Sequence, residues 1–142
     1  MKKQFFYVAL ATIFTIIIFS GCYSVPKDIP SDLSAEELIQ LAQSSYDDGN
    51  VKAAQAYYEA VIIRYSSDMA LVVEAEYEIA HMKIKEKKWQ QAIPDLQRIL
   101  SYYESDYSGI LPQAYKKLAQ LDLDKVPEFE LRKAAPESFV TE

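Results

Sequence analysis

Apolar and polar positions alternate at three- and four-residue spacing through residues 35–106, and the pattern is written twice. The first copy runs Leu38, Leu41-Ala42, Tyr46, Gly49-Asn50, Ala54, Tyr58, Val61, Tyr65. The second runs Tyr77, Ile79-Ala80, Ile84, Lys87-Lys88-Trp89, Ala92, Leu96, Ile99, Tyr103. Ala42 and Ala80 are 38 positions apart, and so are Ala54 and Ala92. The spacing within each copy is that of an amphipathic helix with one apolar stripe. A fixed period of this length, made of two such helices around a short turn, predicts stacked helical hairpins and an all-α fold.

The helix ends are also legible. Ser34 followed three residues later by Glu37 is a capping box, and Glu36-Glu37 complement the positive end of a helix starting there. Leu38, Leu41, Ala42 and Ser45 fall on its inner face. Asp47-Asp48-Gly49-Asn50 stops it, with Gly49 free to take a positive φ. A second helix is predicted from about Val51 to Tyr65, with Ala54, Tyr57 or Tyr58, Val61, and Ile62 or Tyr65 inward. Ser66-Ser67-Asp68 breaks the chain and caps a third helix, about Met69 to Lys85. Its apolar positions are Leu71, Val72, Ala75, Ile79, Ala80 and Met82. The turn Lys85 to Lys88 places Lys87 where the first copy has Gly49. A fourth helix is predicted from about Trp89 to Tyr103, with Pro94 in its first turn, where a missing N–H is tolerated. After a loop at 104–109, a fifth helix, about Ile110 to Leu121, uses Leu111, Ala114, Tyr115, Leu118 and Ala119 and closes the stack. Residues 123–142, with Pro127, Pro136 and mixed charge, read as a poorly ordered tail with a short helix near Glu128 to Lys133.

The first residues belong to a different class. Lys2-Lys3 precede an uncharged apolar run from Phe5 to Phe19, and Ser20-Gly21 precede Cys22, the single cysteine. The run is short for a membrane span, which needs about 20 residues, and suits the apolar part of a secretory signal. The sequence Phe19-Ser20-Gly21-Cys22 resembles the lipobox of bacterial lipoproteins, with Phe where Leu is usual; more permissive boxes occur, notably in spirochaetes. The resemblance implies a lipoprotein signal peptide over residues 1–21, cleavage before Cys22, and acyl chains on that cysteine. An uncleaved anchor with an incidental cysteine is the other reading. Two or three acyl chains, at about 0.8 kcal/mol per buried methylene, hold a protein firmly to a bilayer. Tyr23 after the cysteine, rather than Asp, matches the enterobacterial rule for export to the outer membrane. Residues 22–33, with Pro26 and Pro30, read as a lipidated tether holding the domain off the membrane.

The chain of 142 residues carries a formal charge of −6, with only 3 glycines and 11 tyrosines. Few glycines and many aromatics favour packed helices over a turn-rich β fold. An acidic chain argues against nucleic-acid binding, which needs clusters of Lys and Arg. Glu78-x-x-His81 has the spacing of half a di-iron site, but that site needs a second such pair and His81 is the only histidine. Glu74, Glu76 and Glu78 read as a solvated helix face. The paired tyrosines at 57–58 and 102–103 read as hairpin packing. With no phosphate loop and no nucleophile signature, the expectation is no enzyme, no metal and no cofactor.

Small residues at Ala42/Ala80 and Ala54/Ala92, the aromatic Trp89 and the Gly49-Asn50 turn resemble the tetratricopeptide repeat (TPR). Ser66 and Glu104 stand where that repeat has a terminal proline, and the period is longer than the usual 34 residues. Residues 34–122 would then form a TPR-like α–α superhelix of about two and a half hairpins, five helices in all. Combined with the lipobox, the chain resembles the TPR lipoproteins of the BamD type, which serve outer-membrane β-barrel assembly, although this chain holds fewer repeats. The resemblance implies a lipid-anchored scaffold on the periplasmic side of the outer membrane. Its partners would be other envelope proteins, of a β-barrel assembly machine or, alternatively, of a solute transporter. The concave partner face implied by TPR analogy comprises Ile39, Gln43 and Tyr46 in the first copy, and Tyr77, His81, Ile84 and Lys85 in the second.

Overall fold

The computed structural model describes residues 24–106 and 109–134. Among them are six α-helices and no strand. They are α1 (Ala35–Asp47), α2 (Val51–Arg64), α3 (Met69–Lys85), α4 (Trp89–Glu104), α5 (Gln113–Leu123) and α6 (Glu128–Ala134). Cys22 and the segment 1–21 lie outside the described residues, as do 135–142. Consecutive helices from α1 to α5 pack on one another, α3 also touches α5, and α6 packs on α4. Short connections between packed neighbours make the helices antiparallel, so the α1–α2 and α3–α4 turns share one edge of the molecule.

Local chemistry sets the ends. Ser34 Oγ accepts from the Glu37 amide at 3.2 Å and Glu37 Oε2 accepts from the Ser34 amide at 2.8 Å, completing the capping box. Asn50 Oδ1 caps α2 and Asp68 Oδ1 caps α3. The two hairpin turns repeat each other bond for bond. Asn50 N–H donates to Ser45 O, and Lys88 N–H to Lys83 O; Gly49 N–H donates to Tyr46 O, and Lys87 N–H to Ile84 O. Both turns need a left-handed residue. Gly49 adopts it at φ 81° and Lys87 at φ 58°, where a side chain costs about 1–2 kcal/mol.

The duplication also governs the core. Ala42 and Ala80, Ala54 and Ala92, Tyr58 and Leu96, and Val61 and Ile99 are all buried, each pair 38 residues apart. The alanines let the helices of each hairpin approach closely. One cluster joins Leu38, Ala42, Ala54, Tyr58 and Val61 to Ala75, Ile79 and Met82 of α3. The other joins Val73, Tyr77, Ala80 and Ile84 of α3 to Ala92, Leu96, Ile99 and Ala119. α3 thus serves both cores and is buried on most sides, which a single-stripe reading does not capture. The end tyrosines match as well. Tyr65 Oη donates to Leu33 O at 2.9 Å, and Tyr103 Oη to Pro112 O at 2.7 Å.

Four expectations change. Pro94 is the sixth residue of α4 rather than a first-turn residue. The helix continues through it because Gln90, whose carbonyl loses its N–H partner, is exposed to water. α5 begins at Gln113, three residues later than Ile110. Asp106 accepts from the amides of Ile110 and Leu111, and Pro112 disfavours helix before it. Consequently Ala114 is exposed and Leu118 largely so, while Leu111 and Ala119 are buried. The short helix expected near Glu128 to Lys133 is α6, but residues 124–134 are packed rather than loose, burying Val126 and placing Leu131 against the second cluster. Finally, residues 24–33 are docked rather than held clear. Asn50 Nδ2 donates to Ser24 O at 3.1 Å, Arg64 donates to Ile29 O and Pro30 O at 2.7 and 2.6 Å, and Ile29 and Leu33 pack on the first cluster. A proline-containing segment outside regular structure leaves its carbonyls unpaired, and α2 supplies the donors.

Candidate partner-binding face

α3 positions the face. Its helical period places Glu74, Tyr77, Glu78 and His81 along one side, between α1–α2 and α5. Tyr58 approaches from α2, and Tyr115 and Asp122 from α5. Tyr77 contacts the His81 ring at 5.6 Å between centroids and the Tyr115 ring at 5.5 Å.

Asp122 is the polar centre. It is 1% exposed, and its carboxylate accepts from His81 Nδ1 at 2.6 Å, Tyr77 Oη at 3.2 Å and Lys125 Nζ at 2.7 Å. Burial pushes its pKa up, but the bonds and charges of Lys125 and His81 outweigh burial and hold it below the ordinary carboxylate value. An ionised carboxylate only accepts, so Nδ1 of His81 carries the proton in this pair. Tyr77 is driven well above the ordinary phenol range by burial and by the Asp122 charge. Further along, burial raises the Glu78 carboxyl, His81 opposes the rise, and Glu74 adds to it. Burial, then Glu78 and Glu74, raise Tyr58; burial, then Glu74, raise Tyr115. Two carboxylates therefore stand among the phenols of three elements.

The structure separates the seven expected face residues. Gln43 and Lys85 are exposed, and Ile39, Tyr46 and His81 are half-buried. Tyr77 and Ile84 are 4% and 5% exposed, covered by the second core cluster, so neither offers surface to a partner without α5 moving. The acidic series also differs from the solvated face expected of it. Glu74, Glu76 and Glu78 are all half-buried, and Glu76 accepts from Arg98 and Tyr102. Glu78 and His81 lie on this face without further ligands: among the described residues, no group of three or more His, Cys, Asp or Glu side chains is placed to hold a metal ion. Asp122 was the residue sequence reasoning missed. A lone Asp at the end of a helix gives no local sign of burial, and its partner His81 is 41 residues away. A separate hollow of about 480 Å³ at the opposite edge is lined by Asp68, Met69, Tyr102, Asp106, Ile110 and Leu111. Among the described residues no helix is long and apolar enough to cross a membrane.

Comparison with known proteins gives one relative and little else. An uncharacterized protein of Treponema pallidum (strain Nichols) is 41% identical over 108 residues, which is 75% of this chain and 43% of the relative. The chain thus spans less than half the length of the protein it matches. No family model matches, and no solved structure matches.

Proposed function

We propose that this chain is a lipid-anchored helical-repeat adaptor of the TPR kind, resembling a shortened BamD-type lipoprotein, that scaffolds an envelope complex. The observation that carries the reading is the matched burial of residues 38 positions apart in consecutive hairpins, together with the matched turns. Arrays of such hairpins present long surfaces to other chains. The partner face is the side bearing Ile39, Gln43, Tyr46, Glu74, Glu78 and His81, continued by Lys85. Its half-buried carboxylates flanked by phenols suit a helix or extended segment that brings Lys or Arg, since a cation satisfies the charge and packs on the rings. The anchor is Cys22. Outer-membrane β-barrel assembly is the favoured setting and a solute transporter the second. The adaptor acts as a non-enzyme without cofactor.

Detergent-solubilised pull-down of the full-length chain tests this. A β-barrel assembly protein that is recovered with the native chain and lost with Glu74→Lys/Glu78→Lys supports the first setting; a permease or solute-binding protein moves the chain to the second. Recovery unaffected by the charge reversal removes the face. Cys22→Ser tests the anchor separately: unchanged mass of the mature form and unchanged membrane partitioning would show that lipidation does not occur.

A further inference from the structure

The docked strand 24–33 has a consequence for how the domain meets a membrane. Its two ends are held at opposite ends of α2, by Asn50 near Ser24 and by Arg64 near Ile29 and Pro30. Asn50 and Arg64 are about 21 Å apart along a helix. The five or six residues from Ser24 to Pro30 reach about 17–21 Å when extended. The segment, bent at Lys27, therefore runs along α2 as a strap held at both ends, and its start is pinned beside the α1–α2 turn.

Only Tyr23 separates Ser24 from Cys22, and two residue steps span at most about 7 Å. Acyl chains on Cys22 would then enter the bilayer within the order of 15 Å of the α1–α2 turn, and the opposite edge of the stack would stand about 20 Å further out. The charge distribution agrees with that direction. The α1–α2 and α3–α4 turns carry Lys52, Lys85, Lys87 and Lys88, all exposed, against Asp47, Asp48 and Glu86. Lys52, Lys85 and Lys87 have no ion pair among the described residues. The opposite edge carries Glu36, Glu37, Asp68 and Glu104, against Arg64, Lys116 and Lys117. An anionic surface attracts the first edge and repels the second.

We infer that the strap fixes the orientation of the domain, holding the α1–α2 and α3–α4 turns against the bilayer with their lysines at the level of anionic phospholipid headgroups. This rests on lipidation of Cys22, as proposed above. Tethers of ordinary kind let a domain tumble; this one makes the turn edge a membrane-facing surface and points the acidic edge away from the membrane.

The test uses the full lipidated chain in phosphatidylcholine–phosphatidylglycerol vesicles containing a headgroup-labelled acceptor lipid. A donor dye is placed on Asp48→Cys or on Ser67→Cys, at opposite edges. Energy transfer should be about twofold or more greater from position 48, given a separation of about 20 Å. Transfer should also rise at position 48 when phosphatidylglycerol replaces phosphatidylcholine. Insertion of about ten Gly/Ser residues after Tyr23 adds roughly 18 Å of slack and should remove the difference between the two sites. Equal transfer from both positions in a chain that floats with vesicles would overturn the orientation alone. A difference that survives the insertion would overturn the strap as its cause, and indifference to phosphatidylglycerol would overturn the headgroup contact. A chain that fails to float with vesicles removes the anchor, and with it both this inference and the anchoring reading.

Discussion

Asp122→Ala removes the one acceptor that His81, Tyr77 and Lys125 share. The carboxylate is 1% exposed, while the side chains of His81 and Lys125 are 24% and 57% exposed. Those two can recover water, so the full 3–5 kcal/mol expected for breaking a fully buried pair does not apply. Tyr77 cannot recover water as readily, because it is 4% exposed and keeps only its 3.2 Å contact with His81 Nδ1, and weakening the pairing of a buried hydroxyl costs up to about 1–3 kcal/mol. We expect Asp122→Ala to destabilise by about 2–3 kcal/mol and to lower Tm by roughly 8–15 °C. Asp122→Asn keeps the shape and isolates the charge. Because the folded pKa of Asp122 is depressed, its contribution is present above the unfolded value and is lost as pH falls through the folded one, below 3.8. Glu78 acts in the opposite sense, since its raised folded pKa favours the fold below 4.5 and this is lost as pH rises. Comparing the native chain with Asp122→Asn removes most of the Glu78 contribution, which rests first on burial and only in its smallest part on the Asp122 charge. Urea unfolding followed by circular dichroism, between about pH 5 and pH 3, should give a shallower loss for Asp122→Asn. An Asp122→Ala chain within about 0.5 kcal/mol of native, or identical pH slopes for Asp122→Asn and the native chain, would refute the reasoning.

Other expectations concern packing and turns. Ala80 is fully buried between the second-hairpin helices, so Ala80→Trp should destabilise by about 3 kcal/mol or more, read from thermal melts; an unaltered melt would sink the equivalence with Ala42. Lys87→Gly should stabilise by about 0.5–1 kcal/mol, because glycine accepts the positive φ without strain, and a lower Tm would contradict this. Arg64→Ala should leave the stack folded at a cost of about 0.5–1.5 kcal/mol; hydrogen exchange over residues 24–33 should quicken, and unchanged protection would show that Arg64 does not hold the strap.

What could be read from the sequence was what short-range chemistry decides. Ser34 with Glu37, Gly49 and Asp68 each act on backbone within a few residues, so the limits of α1, α2 and α3 follow from them. The 38-residue correspondence carried the inner positions of α2 and α4 for the same reason: it reports one environment twice. The losses came where partners are distant. Asp122 is decided by His81, and residues 24–33 by Arg64 and Tyr65, none of them a neighbour in sequence. Glu74, Glu76 and Glu78 looked solvated because α3 was read as having one wet side, whereas it is packed by α2, α4 and α5. Pro112 is the local signal for the later start of α5, and the apolar Ile110 before it is 75% exposed.

The seven residues of α6 lie on α4 and bring Leu131 and Ala134 to the second cluster. They act as a stopper. Copying another hairpin onto the chain after Leu123 would first have to evict them and uncover the apolar side of α4 they shield. A helix shorter than two turns thus occupies the α4 surface on which a further hairpin would pack.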